Sequence, residues 1–375
     1  GNDTDQDLPL SALKLIEAER NHEKQRKIRD LLSAHIMPMT IDTVMTAADP
    51  RRSRHLPAML RILSSDLIID EADVFSPEDL SAVARLAYLC GAAGRRLLVM
   101  SATLSASTAE RFFDAYRAGY RSYAALKGTS DHVHVLCASD KPNAIASNRD
   151  SEESFGSIFD RMLSPTLAAL ESGPVLRQAR VLNAPIETIE GASATISRAC
   201  SDMHDRHAVS LKGQRVSVGL VRITRVNHAV AVAGHLSDPC VGDEIDSTPY
   251  GRRRFVICLH SRMLYAQRAF IEHRLKRALT RKGETPDLEI SRLLESESRR
   301  LGLDISGLSD IEIVVVSSPV IETGNDLDFD YAVIDPLSTR SVVQAAGRVN
   351  RHRARPVSDD NIAVLPMPLQ CMGGS

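Results

Sequence analysis

The sequence predicts an α/β protein built from two parallel-sheet halves. Three observations lead there. The 375 residues are 43% apolar but only 4% aromatic, with no tryptophan, so the cores are built from Leu, Ile, Val and Ala. Short β-type apolar runs alternate with helical periodicities, the order that gives parallel strands joined by crossover helices. Polar clusters stand directly at the carboxyl ends of those runs, where open α/β sheets bind ligands.

In chain order, residues 8 to 35 read as charged surface helices with apolar positions near a 3.6 spacing. MPMTIDTVM, from Met37, reads as a short extended segment, AADPRRSR as a breaker-rich loop, LPAMLRILSS as a short helix and DLIID as a strand ending at Asp70-Glu71. Ser76-Pro77-Glu78-Asp79 is a helix start, with Leu80, Val83, Ala84 and Ala87 recurring on one face until Gly91 and Gly94. RLLVM follows as a second strand, parallel to the first, and Ser101-Ala102-Thr103 stands at its carboxyl end.

Residues 138–210, rich in Ser, Asp, Asn and Arg, read as a linker or insertion between a first domain over 1–137 and a second over 211–375. The second pattern runs VSVGLV, a helix around NHAVAVAGHL, the strand RFVICLH, a basic helix through YAQRAFIEHRLKRALTRK, the strand IEIVVVSSP, YAVID and a last helix SVVQAAGRVNRHR capped by Ser338 or Thr339.

Forty-six basic against forty-eight acidic residues leave a net charge of −2, so any nucleic-acid surface is local. Two tracks qualify. Residues 251–282 hold ten Lys or Arg against Glu272 alone, and 340–355 hold five Arg against no acid; a solvated helix face is the plainer explanation. The six cysteines lack CxxC or zinc-like spacing, which points to a reducing compartment, and no apolar run is long enough to span a membrane. The expected location is the cytoplasm.

Three clusters could carry chemistry. Asp70-Glu71-Ala72-Asp73 comes off a hydrophobic strand, and adjacent carboxylates there can hold magnesium through water and polarise an attacking water, although an acidic loop would read the same. Gln344, Arg348 and Arg351 of QxxGRxxR fall at i, i+4 and i+7, one face of a helix, where two arginines could neutralise a triphosphate; a solvated basic helix is the alternative. SSPVIETGNDLD follows a buried strand, with Glu322 and Asp326 available to orient arginines or contact a ribose.

Thr40-Ile41-Asp42, DEAD at 70–73, SAT at 101–103, His260-Ser261, SSPVIETGNDLD and QAAGRVNRHR occur in the order of superfamily 2 helicase motifs, and the two halves resemble the tandem RecA-like domains of that superfamily. Within it, MPMTIDTV, MLRILSSDLIIDEAD, VSVGLVRITRVNHAVAVAGHL and the run from Ser317 to Arg353 resemble the CRISPR-associated helicase-nuclease of type I systems, most of all its type I-F branch. The resemblance runs from about residue 35 to about 365.

It implies ATP and Mg2+ as cofactors, with Asp70 on the magnesium and Glu71 activating the hydrolytic water. Ser101 and Thr103 would couple hydrolysis to domain motion. Arg348 and Arg351 would be arginine fingers, with Gln344, Gly324 and Asp326 at the nucleotide cleft. Thr40, His260 and Ser261 would touch single-stranded DNA. The implied motor runs 3′ to 5′ on DNA for degradation of invading DNA, with the RNA-guided surveillance complex and the CRISPR integrase machinery as partners.

Two parts of the family pattern are absent. No GxxxxGK[ST] phosphate loop precedes DEAD, and LKGTS at 126–130 lacks the glycines, so the first RecA-like domain reads as incomplete and the chain alone is expected not to hydrolyse ATP. The only HD-type nuclease candidates are His204-Asp205 with His207 and Asp131-His132 with His134, expected to be packing or linker histidines. A non-catalytic binding module derived from such a helicase, and another superfamily 2 motor, are the rival readings.

Overall fold

The computed structural model of the chain describes residues 14, 17, 21–48, 52, 55–75, 77–148, 153–184, 186–237, 252–282, 288–302, 305, 307–322 and 326–372. They divide into two compact units, residues 1–173 and 174–375.

In the first unit α1 (His22–Ser33) starts on Asn21, whose side chain accepts from the amides of Glu23 and Lys24. Ile41–Ala48 is α2, not the extended segment expected for MPMTIDTVM: Val44 and Ala47 are buried three residues apart, and the Thr40 carbonyl accepts from the Thr43 and Val44 amides. After α3 (Leu56–Ser64), β1 (Leu67–Ile69) and β2 (Leu97–Val99) pair in parallel across α4 (Pro77–Ala92), as the crossover rule requires. Ser76, the expected cap of α4, lies outside the described residues.

Helix α5 (Ala106–Lys127) packs closely on α4: a Cβ on Gly119 would sit 2.0 Å from the Tyr88 carbonyl oxygen, and one on Gly91 2.2 Å from that of Tyr116. Both glycines are therefore contact residues. The expectation that Gly91 ends its helix does not hold, since α4 runs on to Ala92; the left-handed turn falls at Gly94, φ +65°. One face of the β1–β2 pair packs into the core through Ile69, but on the other Ile68, Leu98 and Met100 are 63%, 49% and 41% exposed. Parallel strands are ordinarily covered on both faces. A hairpin of β3 (Leu136–Ala138) and β4 (Ile145–Ser147) and the helix α6 (Phe155–Glu171) complete the unit.

The stretch 138–210 is not a linker. It ends one unit and begins the next: β4 and α6 belong to the first, while β5 (Ala179–Val181), α7 (Ile189–His207) and β6 (Val209–Leu211) are built into the second. Its small polar composition misleads because Ala192, Ser193, Ser197, Ala199 and Cys200 form the buried face of α7, where small side chains let a helix lie close to a sheet.

The second unit is a three-layer α/β/α body. To the strands already named it adds β7 (Gln214–Arg222), β8 (Arg252–Leu259), β9 (Asp310–Ser317), β10 (Tyr331–Ile334) and β11 (Ile362–Val364), in the order β5-β11-β10-β7-β9-β8. All neighbours in that order are parallel, and β6 adds an antiparallel hairpin on β7. Helices α9 (Tyr265–Leu279), α10 (Leu288–Leu301) and α11 (Thr339–Ala346) share one core with the sheet; α7 and α8 (Val226–Ser237) share the other. Every residue of β9 is buried, which explains the apolar run Ile313–Val316 at its centre.

Two charges on that strand are met by distant partners. Glu312 accepts from Arg254 Nε at 2.8 Å and the Tyr331 hydroxyl at 2.8 Å. Asp310 takes His204 Nε2 at 2.5 Å and Arg252 Nε at 3.2 Å.

Candidate functional site

In the first unit the chemistry-bearing residues gather at the carboxyl ends of β1 and β2. The Ala72 amide donates to the Met100 carbonyl at 3.1 Å, folding the DEAD loop against the end of β2. Glu71 makes the turn in a left-handed conformation, φ 54°, and presents an exposed carboxylate beside that of Asp70. Asp73 is the joint: one carboxylate oxygen accepts from the Ser101 hydroxyl and the other from the Thr103 hydroxyl. Ser101 and Thr103, expected at the nucleotide, thus meet the last carboxylate of DEAD. That carboxylate is the residue missed by the sequence reading, although the adjacency of two strand ends was the signal for it.

In the second unit the strand order reverses between the parallel strands β7 and β10: after β7 the chain runs toward β8, after β10 toward β11. The crevice outside such a point is where open sheets bind ligands. Arg222, at the end of β7, is buried there and gives Nε to Glu322 at 2.7 Å and Nη1 to the Thr224 hydroxyl at 2.9 Å. The Glu322 carbonyl accepts Arg348 Nη2 at 2.6 Å. Asp326 receives Arg351 Nε at 2.7 Å, Lys282 Nζ at 2.6 Å and His352 Nε2 at 2.9 Å. The hydrogen bond from Lys282 is the largest influence holding the Asp326 carboxyl at about 2, with His352 and Arg351 adding to it. The Asp326 carboxylate thus meets Arg351, whereas the Glu322 carboxylate meets Arg222 and only its main-chain carbonyl meets Arg348.

The helical face expected for Gln344, Arg348 and Arg351 does not form. Ser338 caps α11 in a capping box with Ser341, and the helix stops at Ala346, so only Gln344 stands on it. Beyond it the backbone turns at Asn350, φ 47°, and Asp328 accepts from the Arg351 and His352 amides at 3.0 Å each. An i, i+4, i+7 count cannot register a carboxylate from another element that captures main-chain donors. Arg353 is locked further in, on Asp328 at 2.8 Å and Asp330 at 2.5 Å, and Asp330 also takes Arg281 at 2.7 Å. Burial pushes the Asp330 carboxyl up, but Arg281 and Arg353 outweigh it and hold it well below the usual range. Gly324 lies outside the described residues.

Thr40 is exposed, its hydroxyl 3.1 Å from that of Thr43; His260 is half-buried after β8 and Ser261 exposed. The basic track at 251–282 changes character, because most of its charges are matched from elsewhere. Arg252 pairs with Asp205 and Asp310, Arg254 with Glu312, Arg274 with Glu297, Arg277 with Glu289, Arg281 with Asp330 and Lys282 with Asp326. Arg262 and Lys276 are exposed and without a carboxylate partner among the described residues.

The histidine pairs are engaged by protein. His204 is fully buried, its Nδ1 2.6 Å from the Ser217 hydroxyl, and His207 Nε2 lies 2.8 Å from the Asp360 carbonyl. Asp131 pairs with Arg121, and the His132 and His134 rings meet edge to face. Among the described residues no three His, Cys, Asp or Glu side chains come together as a metal site, and no helix is long and apolar enough to cross a membrane.

Residues 215–354 match the family model of the carboxyl-terminal region of the CRISPR-associated nuclease/helicase Cas3. The chain is 30% identical over 358 residues to the Cas3 subtype I-F/YPEST nuclease/helicase of Pseudomonas aeruginosa, and 31% over 342 residues to that of Pectobacterium atrosepticum. These alignments cover 92% and 88% of this chain but 32% and 30% of those proteins, so the chain spans about a third of their length. The T. fusca Cas3-AMPPNP crystal structure has the same fold, with a TM-score of 0.60 at 18% identity over 92% of this chain and 34% of that one. A pre-nicking CRISPR RNA-guided surveillance complex contains a chain matching 98% of this one, with 39% of its own length covered, at a TM-score of 0.55 and 16% identity. The α/β fold with its parallel sheet, the order of the helicase motifs and these relatives agree: the chain belongs to the CRISPR-associated Cas3 helicase-nuclease family.

Proposed function

We propose that this chain is the helicase-motor portion of a type I-F helicase-nuclease, which spends ATP on 3′ to 5′ movement along single-stranded DNA so that invading DNA is degraded, and that alone it neither hydrolyses ATP nor cuts DNA. The observation that carries the reading is the Asp73 bridge, which joins the DEAD loop to Ser101 and Thr103 at two parallel strand ends. A rearrangement at one cluster must then be felt at the other.

Glu71 is the base that orients and deprotonates the attacking water. The exposed carboxylate of Asp70 accepts one hydrogen bond, from the Glu71 amide, and suits a magnesium ion, which takes one or two carboxylates along with waters and phosphates and supplies charge neutralisation there. Arg348 and Arg351 serve the triphosphate, and Gln344, Gly324 and Asp326 are proposed as further nucleotide-side residues. Thr40, His260 and Ser261 contact single-stranded DNA. The lack of a GxxxxGK[ST] run before DEAD in this sequence supports inactivity of the chain alone, since that loop supplies the backbone amides and Lys that hold the phosphates. The surveillance complex and the integrase machinery are the proposed partners, in the cytoplasm.

Phosphate release with single-stranded DNA tests the reading. This chain is expected to show none, and turnover is expected when the chain is joined to a segment carrying the phosphate loop. Robust turnover by the chain alone would refute the proposal.

A further inference from the structure

The two arginines of QxxGRxxR are held in unlike ways. Arg348 is buried and gives Nη2 to a main-chain carbonyl, that of Glu322, whose own side chain is fixed by Arg222. To leave that site this buried guanidinium would have to abandon a part-buried main-chain acceptor. Arg351 differs at every point. Its backbone is pinned by Asp328, while its side chain is 39% exposed and reaches Asp326, itself 44% exposed, at 2.7 Å. The carboxylate there is shared with Lys282 and His352. Loss of Arg351 would leave Asp326 with the Lys282 ammonium and the His352 ring nitrogen, so its departure does not strand the carboxylate. The loop is also set for a single moving part: Arg281, Asn350 and Ala354 take left-handed conformations at φ 43°, 47° and 48°, and Asp328 and Asp330 grip Arg353 and Arg281 beneath them.

From this contrast we propose that Asp326 is a positioning residue, holding the Arg351 guanidinium at the surface for exchange onto a phosphate group, and that Arg348 is a fixed brace of the loop. A carboxylate and a phosphate offer the same pair of oxygens to a guanidinium, so one can replace the other without rebuilding the loop. The assignment rests on the reading that Arg351 meets the triphosphate. It departs from that reading in separating the two arginines and in giving Asp326 the arginine, not the nucleotide, as its partner.

The test is titration of this chain with inorganic tripolyphosphate, followed by calorimetry at low salt. Asp326→Asn removes the competing carboxylate and is expected to bind about three- to fivefold tighter than the unsubstituted chain, the span of a partly exposed ion pair. Asp326→Glu should return to the unsubstituted value, and adding Arg351→Gln to Asp326→Asn should remove the gain. Asp140→Asn, which deletes an equal charge from the first unit, measures the general effect of net charge. An Asp326→Asn chain no tighter than Asp140→Asn, an Asp326→Glu chain that behaves like Asp326→Asn, or a gain that survives Arg351→Gln would each overturn the assignment.

A measurement on the unsubstituted chain stands beside these. In arginine Nε–H spectra the Arg351 resonance is expected to move with tripolyphosphate while that of Arg353 stays; movement of both, or of neither, contradicts the proposal. Exchange without ATP turnover in the completed motor would remove the motor reading and keep this assignment, and turnover without exchange would do the reverse.

Discussion

Asp330 shows how much a single side chain carries in this fold. Its carboxylate accepts the Val218 amide at 2.7 Å and closes on Arg281 and Arg353, so β7, the end of α9 and the loop after α11 meet at one buried charge. Asp330→Asn leaves the Arg281 guanidinium buried without its carboxylate, and a loss of about 3–5 kcal/mol in urea unfolding is expected. The sign of the pH dependence follows from the depressed carboxyls. Asp330 and Asp326 sit below the ordinary value of 3.8, so their contribution is complete above it and drains away as pH falls from about 4 toward about 2. The stability gap between the unsubstituted chain and Asp330→Asn should therefore be widest above pH 5 and narrow toward pH 3; a gap that widens on acidification would contradict the pairing. None of this was legible in the sequence, where 251–282 reads as ten basic residues against one acid, because the matching acids at 205, 289, 297, 310, 312, 326 and 330 come from other segments.

Among the elements, those written in local signals were readable and those set by tertiary capture were not. β1, α4 and β2 follow from periodicity and the crossover rule, and the Ser338 cap of α11 from its residue type. The end of α11 does not follow, because Asp328 and the turn at Asn350 stop a pattern that a helix would otherwise continue. α7 was lost to its small polar residues. The α4–α5 contact offers a test at this scale. Gly119→Ala forces a Cβ against the Tyr88 carbonyl oxygen, and a loss of about 1–3 kcal/mol in the first unit is expected. Gly156→Ala, on the open side of α6, meets nothing within 4 Å and should gain about 0.5–1 kcal/mol. Thermal melts of the two variants that shift in the same direction would sink the packing argument.

For the molecule as a whole, charge is balanced inside each unit more than it is spread for a ligand. The net of −2 conceals internal pairs, so less positive charge is free to meet a ligand than the residue count suggests. If single-stranded DNA runs past α9, the double variant Arg262→Gln, Lys276→Gln should lower the salt slope of log K by about 1 to 1.5, at about 0.7 per phosphate contact. An unchanged slope would move the track elsewhere. The family and the order of its motifs were visible in the sequence; the Asp73 bridge and the unlike partners of Arg348 and Arg351 needed the fold. The most direct test of the central claim is phosphate release, with and without single-stranded DNA, by this chain alone and by the chain joined to a phosphate-loop segment of its family. No turnover by the chain alone is expected, with DNA-stimulated turnover in the joined protein that is abolished by Glu71→Gln. A folded joined protein that hydrolyses no ATP, or robust hydrolysis by this chain by itself, would contradict it.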